Sequence, residues 1–344
     1  MLTRAPLRVA SFPLAGPTPH GLATQRTMAA LFRPALLVGA AAAAVAYYYL
    51  RGRDESEFTV LTWNVLAAEF TMFNKELPGC VQGHRNPDGK LETSSQTSAR
   101  YALAAAVLLA RGPDAVLLQE LSVDFFDPDI NPKAPALLER YMMAHATNSP
   151  SVGDDGPGTA VLLRKGGPLT ATGVAFSVGA NSECGGTSKS ASGVLVRVGS
   201  RGAPCWLASV HAAPLKYKPE AVRTHLALLG EQLRQRLPTA PPRIFIGGDL
   251  NADVDEVATL QNEYPGPLGS LHRLLAPGDT GLSANFSAPC CIDHLFISPG
   301  LRLVGAVELE RTPSSPYGEG GGPGPAPVHF PSDHVWQCVR LAAD

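Results

Sequence analysis

The chain has 344 residues, with 28 Lys plus Arg against 30 Asp plus Glu, 45% hydrophobic and 17% charged residues. That composition excludes a disordered tail or a small disulfide scaffold, and the length suits one large α/β domain or two ordinary ones. Residues 58–344 hold 22 basic and 27 acidic residues, a net charge of −5, which argues against broad electrostatic capture of long nucleic acid. The six cysteines, Cys80, Cys184, Cys205, Cys290, Cys291 and Cys338, form no C-x-x-C pair and read as reduced thiols.

From Met1 to Arg53 there is no Asp or Glu, while six arginines punctuate Ser, Thr, Ala and Pro. This is the composition of an organelle transit peptide, with the mitochondrion as expected destination. Pro34 to Leu50 is an apolar run closed by three tyrosines and followed by Arg-Gly-Arg, which predicts a short single-pass membrane anchor. Read from Met28, the Ala44-Val45-Ala46 triplet gives the secretory alternative, a signal cleaved before Tyr47. Residues 1–57 are therefore read as a targeting and anchoring segment, and 58–344 as the catalytic domain.

Beyond this segment, short apolar runs alternate with stretches of helical spacing. Strands are predicted at 58–65, 115–119, 159–163, 193–198, 206–211, 244–247, 292–297 and 335–341. Helices are predicted at 98–110, 135–144 and 219–236, with a short one from Val254. Strands outnumber helices, which predicts two packed sheets with helices outside. Two Gly- and Pro-bearing polar stretches, 73–97 and 312–331, read as loops that could serve as flaps.

Polar residues interrupt or follow these strands: Asn64 in LTWNVL, Glu120 in AVLLQEL, His211 in LASVHAAP, Asp249 and Asn251 in IFIGGDLN, Asp293 in CIDHLFIS, and Asp333 and His334 in FPSDHVW. A strand end is where a rigid sheet presents a side chain to a cleft. Singly, each has a bland reading, such as an Asx turn at Asp249 before Asn251. Together they supply hard oxygen ligands of the kind that suit Mg²⁺ or Mn²⁺.

In that order, WN, QE, GDLN, IDH and SDH resemble the endonuclease/exonuclease/phosphatase superfamily. The resemblance covers about Phe58 to Leu341. It implies a four-layer α/β sandwich of two packed mixed β-sheets flanked by helices, with metal-dependent cleavage of phosphoesters. It makes Glu120 the principal Mg²⁺ ligand, with Asn64 and Asp333 near the ion or its waters. Asp249 orients or deprotonates the attacking water, and Asn251 positions Asp249 and the phosphate. His334, paired with Asp293, contacts the phosphate, and His211 contacts the phosphate or aids the leaving group. These roles agree with the chemistry, because an anionic phosphodiester repels hydroxide and needs a cation, an oriented water and a stabilised leaving oxygen.

His20, His84, His145, His225, His272 and His329 show no ligand spacing and are read as surface or core residues. His294 should point away from Asp293, since neighbouring strand residues alternate. WNVLAAEF, GPGTAVLLRK and HAAPLKYKPEAVRTHLALLGEQL resemble the deadenylase, nocturnin and angel branch, whereas SVHAAP with GDLNAD resembles deoxyribonuclease I and GDLNADVDEV with FPSDH resembles tyrosyl-DNA phosphodiesterase. Three substrates follow as expectations: an RNA 3′ end, approached past Phe70, Phe73, Lys75, Lys216 and Lys218; a small nucleotide or lipid-headgroup phosphoester; or DNA. A catalytically silent binding protein is disfavoured because all the motif positions keep reactive residue types.

Overall fold

Alternation with a period of two lays out the strands. In β1 (Glu57–Asn64) Phe58 and Val60 join the core between two sheets, while Leu61 and Trp63 join a second core on the sheet's outer face. The computed structural model describes residues 56–67, 94–149, 156–178, 189–199, 202, 204–236, 243–263, 267–274, 291–309, 332 and 334–343. The targeting and anchor segment, most of the 73–97 loop, the 312–331 loop, Phe70, Phe73, Lys75, Asp333 and three of the histidines lie outside these residues. Among the described residues no helix is long and apolar enough to cross a membrane.

The elements follow in chain order. After β1 come α1 (Ser94–Arg111), β2 (Ala115–Leu121), α2 (Ala134–Arg140), β3 (Tyr141–Ser149), β4 (Gly156–Arg164), β5 (Leu169–Val178), β6 (Ser190–Val198) and β7 (Pro204–His211). Then come α3 (Pro219–Gln235), β8 (Arg243–Asp249), α4 (Val254–Glu263), β9 (His272–Leu274), β10 (Asp293–Ile297), β11 (Leu301–Leu303), β12 (Glu308–Leu309) and β13 (Gln337–Ala343). One sheet runs β11-β13-β1-β2-β4-β3, with β12 also on β13; the other runs β5-β6-β7-β8-β10-β9. Both are mixed: β1–β2 and β7–β8 are parallel, and the other pairs antiparallel.

Three apolar layers hold the sandwich. Leu117, Val161, Val196, Leu207, Phe245, Leu295 and Val339 fill the space between the sheets. Tyr101, Ala105 and Leu108 of α1 cover the first sheet, and Val222, Leu226, Leu229 and Leu233 of α3, with Val257 and Leu260 of α4, cover the second. Each layer removes apolar surface from water, the main driving term of the fold. The predicted four-layer sandwich is the observed one.

Some boundaries differ from expectation. The helix predicted to reach residue 144 stops at Arg140, because Tyr141 starts an edge strand paired with Arg164 and donates its hydroxyl to the Pro113 carbonyl at 3.1 Å. Its apolar run has helical spacing, and tertiary pairing overrides that weak preference. α1 begins at Ser94, four residues early. Strand β5 was not expected: it is an edge strand with few buried positions, and its register shifts around Gly173, at φ 83°. The short strands β9, β11 and β12, and β3 itself, were also unexpected. Cys205, Cys291 and Cys338 are thiols.

Candidate active site

The same alternation that buries the core delivers the polar residues. Counting by twos along the inner faces, β1 runs Phe58, Val60, Thr62, Asn64 and β7 runs Cys205, Leu207, Ser209, His211; β8 runs Phe245, Gly247, Asp249, and β10 runs back Ile297, Leu295, Asp293. Each face changes from apolar, through small or uncharged polar, to reactive at one end of the sandwich. In the second sheet Ser190, His211, Asp249 and Asp293 lie in one cross-strand row.

Glu120 breaks the pattern. By parity it belongs with Val116 and Leu118 on the outer face, but the β2–β4 register shifts between Leu118 and Leu121, and Glu120 has φ 51°. This bulge re-aims the carboxylate, as bulges beside active sites do, and places its Oε1 3.4 Å from His211 Nε2. Among the described residues the non-glycine positions with positive φ are Leu66, Glu120 and Asn251, all at or beside candidate site residues. Each such position costs about 1–3 kcal/mol, which the surrounding fold must hold in place.

Asp249 sits at the centre. The backbone N–H of Asn251 donates to its Oδ1 at 2.8 Å and the Asn64 amide donates to its Oδ2 at 3.1 Å. This is the Asx turn, made by the Asn251 backbone, while the Asn251 side-chain N–H donates to the Ala212 carbonyl at 3.0 Å. Gly248 is required here, since a Cβ would stand 2.0 Å from the Val210 carbonyl oxygen. A capping box follows: Asp253 Oδ1 accepts from the N–H of Asp255 and Glu256, and Glu256 accepts from the N–H of Asp253, fixing the start of α4.

Asp293 lies directly across from Asp249, an unfavourable pairing of like charges. His334 relieves it: Nδ1 lies 2.9 Å from Asp293 Oδ2, and Nε2 lies 3.8 Å from Asp249 Oδ2. Asn64 enters as a donor, because its Oδ1 accepts the Leu66 N–H at 3.0 Å and its Nδ2 faces Asp249 and His334 Nε2. The motifs are also tied together by Trp63 Nε1 donating to the His334 carbonyl, Ser332 Oγ to the Asn64 carbonyl, and Gln337 Nε2 to the Asp293 carbonyl. Buried Arg100 of α1 donates to the carbonyls of Val65 and Leu66 at 2.8 and 2.6 Å, clamping the segment after Asn64.

Two contributors were missed in the sequence, Arg100 and Lys189. Lys189 Nζ stands 2.5 Å from His211 Nε2. Lys189 precedes β6 instead of ending a strand, and in an antiparallel pair the start of one strand lies beside the end of the next. Burial lifts the Asp249 pKa to about 6, with Asp293 adding to the rise and His334, Lys189 and the Asn251 N–H opposing it. Burial lowers that of Lys189, against the carboxylates of Glu120 and Asp249, which favour its charge.

The other histidines among the described residues stand outside this cluster. His294 turns to the opposite face, buried, with Nε2 2.8 Å from the Ala252 carbonyl. His225 is buried in α3 with its pKa lowered to about 4, by burial first and then by Lys189. His145 meets Ser177 Oγ at 2.8 Å, and His272 lies exposed on β9.

The donor set fits a hard divalent ion. Ligand atoms of Glu120, His211 and Asp249 lie within 4.8 Å of one another, as do those of Asp249, Asp293 and His334. Glu120, turned inward by its bulge, and Asp249 are the carboxylates of the first group; magnesium-like ions take one or two carboxylates and keep their waters. When bound, such an ion supplies positive charge to the phosphate oxygens.

Solved structures share this fold. The human nocturnin catalytic domain with bound sulfate superposes with TM-score 0.59 at 16% identity, covering 84% of this chain and 95% of that one. ANGEL2, described as a 2′,3′-cyclic phosphatase in complex with adenosine-2′,3′-vanadate, gives 0.63 at 14%, covering 83% and 96%. TDP2 from D. rerio, complexed with a single-strand DNA product, gives 0.54 at 16%, covering 84% and 100%. Among curated proteins no sequence match is found. The profile of the Endonuclease/Exonuclease/phosphatase family matches residues 61–334, from β1 to His334; the chain belongs to this family of metal-dependent phosphoester hydrolases.

Proposed function

We propose that the chain is a Mg²⁺-dependent phosphodiesterase that shortens RNA from its 3′ end, a deadenylase-like 3′–5′ exoribonuclease. The observation that carries the nucleotide reading is Tyr217. It is 75% exposed on the turn that follows His211, with the Lys216 ammonium 5.7 Å from its ring centroid and Lys218 beside it. An exposed aromatic flanked by cations offers a base a stacking face and its phosphate a counter-charge. The likeness to nocturnin and ANGEL2 supports this branch. Mn²⁺ would serve the same oxygen ligands. The acid-free, arginine-bearing amino terminus supports an organelle, the mitochondrion, as the site of action.

In this reading Asp249 takes the proton of the attacking water, held for that task by Asn64 and the Asn251 N–H. His334, anchored by Asp293, offers Nε2 to the phosphate. Glu120, with Asp333 in the same motif as His334, would hold the Mg²⁺. A second reading, a phosphoesterase for a free small nucleotide, is favoured by the net charge of −5 over residues 58–344. The test is the full chain with Mg²⁺ on a 5′-labelled RNA ending in oligo(A), with Asp249→Asn as control. A one-nucleotide ladder absent from the variant is expected. No shortening, with hydrolysis of a nucleoside 5′-monophosphate ester instead, selects the second reading.

A further inference from the structure

Among the residues around Asp249, His211 carries a contradiction that its distances resolve. Its Nε2 lies 2.5 Å from Lys189 Nζ, 3.4 Å from Glu120 Oε1 and 3.5 Å from Asp249 Oδ2. At 2.5 Å the Lys189 amine and this ring nitrogen share one hydrogen bond. Both carboxylates stand beyond the 2.7–3.2 Å range of an N–H···O bond (a span of about half an ångström). The His211 side chain is wholly buried and cannot turn outward. The imidazole at this position is a seat for the Lys189 amine.

The geometry points to Lys189, seated on the ring of His211, as a catalytic residue that meets the leaving oxygen of the substrate phosphodiester. This rests on the phosphodiesterase reading above. As the water oxygen bonds to phosphorus, its proton passes to Asp249. The P–O bond to the leaving group breaks with its electron pair on the leaving oxygen, and the Lys189 ammonium holds that charge until a solvent proton neutralises it. His211 is then a positioning residue. Lys189 is held at the carboxylate cluster through His211, while His334 reaches the same Asp249 oxygen from Asp293.

The test compares two leaving groups with full-length protein at saturating Mg²⁺. A dinucleotide leaves through a sugar oxygen that needs its charge stabilised, while the p-nitrophenyl ester of a nucleoside 5′-monophosphate leaves as a stable phenolate. Lys189→Met and Lys189→Gln, the latter keeping a donor to His211 without the charge, are expected to lower kcat on the dinucleotide about 100-fold and on the phenyl ester less than about 5-fold. Lys189→Arg should recover part of the dinucleotide rate. Equal losses on both substrates, or full dinucleotide activity in Lys189→Gln, overturn the assignment. A wild-type chain inactive on both substrates refutes the phosphodiesterase reading itself, so the two failures are distinguishable.

Discussion

The space between the two sheets has two unlike ends. One is apolar throughout, where Phe58, Val60, Leu117, Val196, Phe245, Leu295 and Ile297 interlock. The other passes through Thr62, Gln119 and Ser209 to Asn64, Glu120, His211, Asp249 and Asp293, all buried. The same strands build both ends, and only the residue types along one face change. The apolar end supplies stability, and the polar end gives some of it up, in like charges set opposite each other and in left-handed backbone at Glu120 and Asn251. Substitutions at the two ends should therefore separate folding from chemistry.

The largest effect is expected at the apolar end. Phe245→Ala removes a fully buried ring between the sheets and should cost about 3–5 kcal/mol of stability while leaving kcat per folded molecule near wild type. Denaturant titration and single-turnover rates on the same sample check both halves, and a collapse of kcat in the folded fraction would erase the distinction between the ends.

Asp249→Asn is the converse. Turnover should fall by about 100-fold or more, yet the protein should become more stable near pH 7. Burial raises the Asp249 pKa to about 6. A raised carboxylate stabilises the fold fully only below its unfolded value and loses that contribution as pH rises through about 6, so the charge is a burden that Asn lacks. Wild-type activity, in turn, should rise with pH through about 6 as the base ionises. A lower melting temperature for Asp249→Asn at pH 7 contradicts this account.

His225 tests the sign on the outer side of the second sheet. Its pKa is lowered from 6.5 to about 4 by burial and by Lys189, so it stabilises the fold above pH 6.5 and that contribution is lost as pH falls toward 4. The full difference corresponds to roughly 3 kcal/mol. His225→Leu should narrow the stability gap between pH 7.5 and 4.5 by up to that amount in urea titrations; an unchanged gap would show that protonation is absorbed elsewhere.

Legibility in the sequence follows the same division. Asn64, His211, Asp249 and Asp293 could be found because they extend the inward-facing parity of their strands, and the counting that predicts the core predicts the site. His334 was legible through its motif. The placement of Glu120 was not, since parity puts it on the wrong face and only the bulge, set by pairing with β4, turns it in. Lys189 and Arg100 were hidden for a related reason: one depends on the antiparallel neighbour of β7, and the other reaches the segment after Asn64 from a helix about 35 residues away in sequence. Asp333 stands beside His334 in the motif but outside the described residues. Periodicity reports which face a residue takes along its own strand, and nothing about what a neighbouring strand or helix brings beside it.

The smallest predicted effect lies at the boundary between the two ends. Gln119 Nε2 donates to Ser209 Oγ of the opposite sheet at 2.8 Å and to Thr62 Oγ1 at 3.1 Å, while Ser209 Oγ donates back to the Leu118 carbonyl at 2.8 Å. These bonds cross from one sheet to the other directly beneath Glu120, so they fix how far its carboxylate stands from Asp249 and His211. Gln119→Leu keeps the volume and removes the amide's part of the crossing, leaving Ser209 on the Leu118 carbonyl, at a cost of about 1 kcal/mol of stability. Apolar packing below would still hold the sheets together, so folding should survive while the Glu120 and Asp249 carboxylates lose their fixed separation. The expected signature is a several-fold higher Mg²⁺ requirement with kcat nearly restored at saturating metal. If kcat falls without any change in metal requirement, the crossing sets the chemistry of Asp249 rather than the spacing of Glu120.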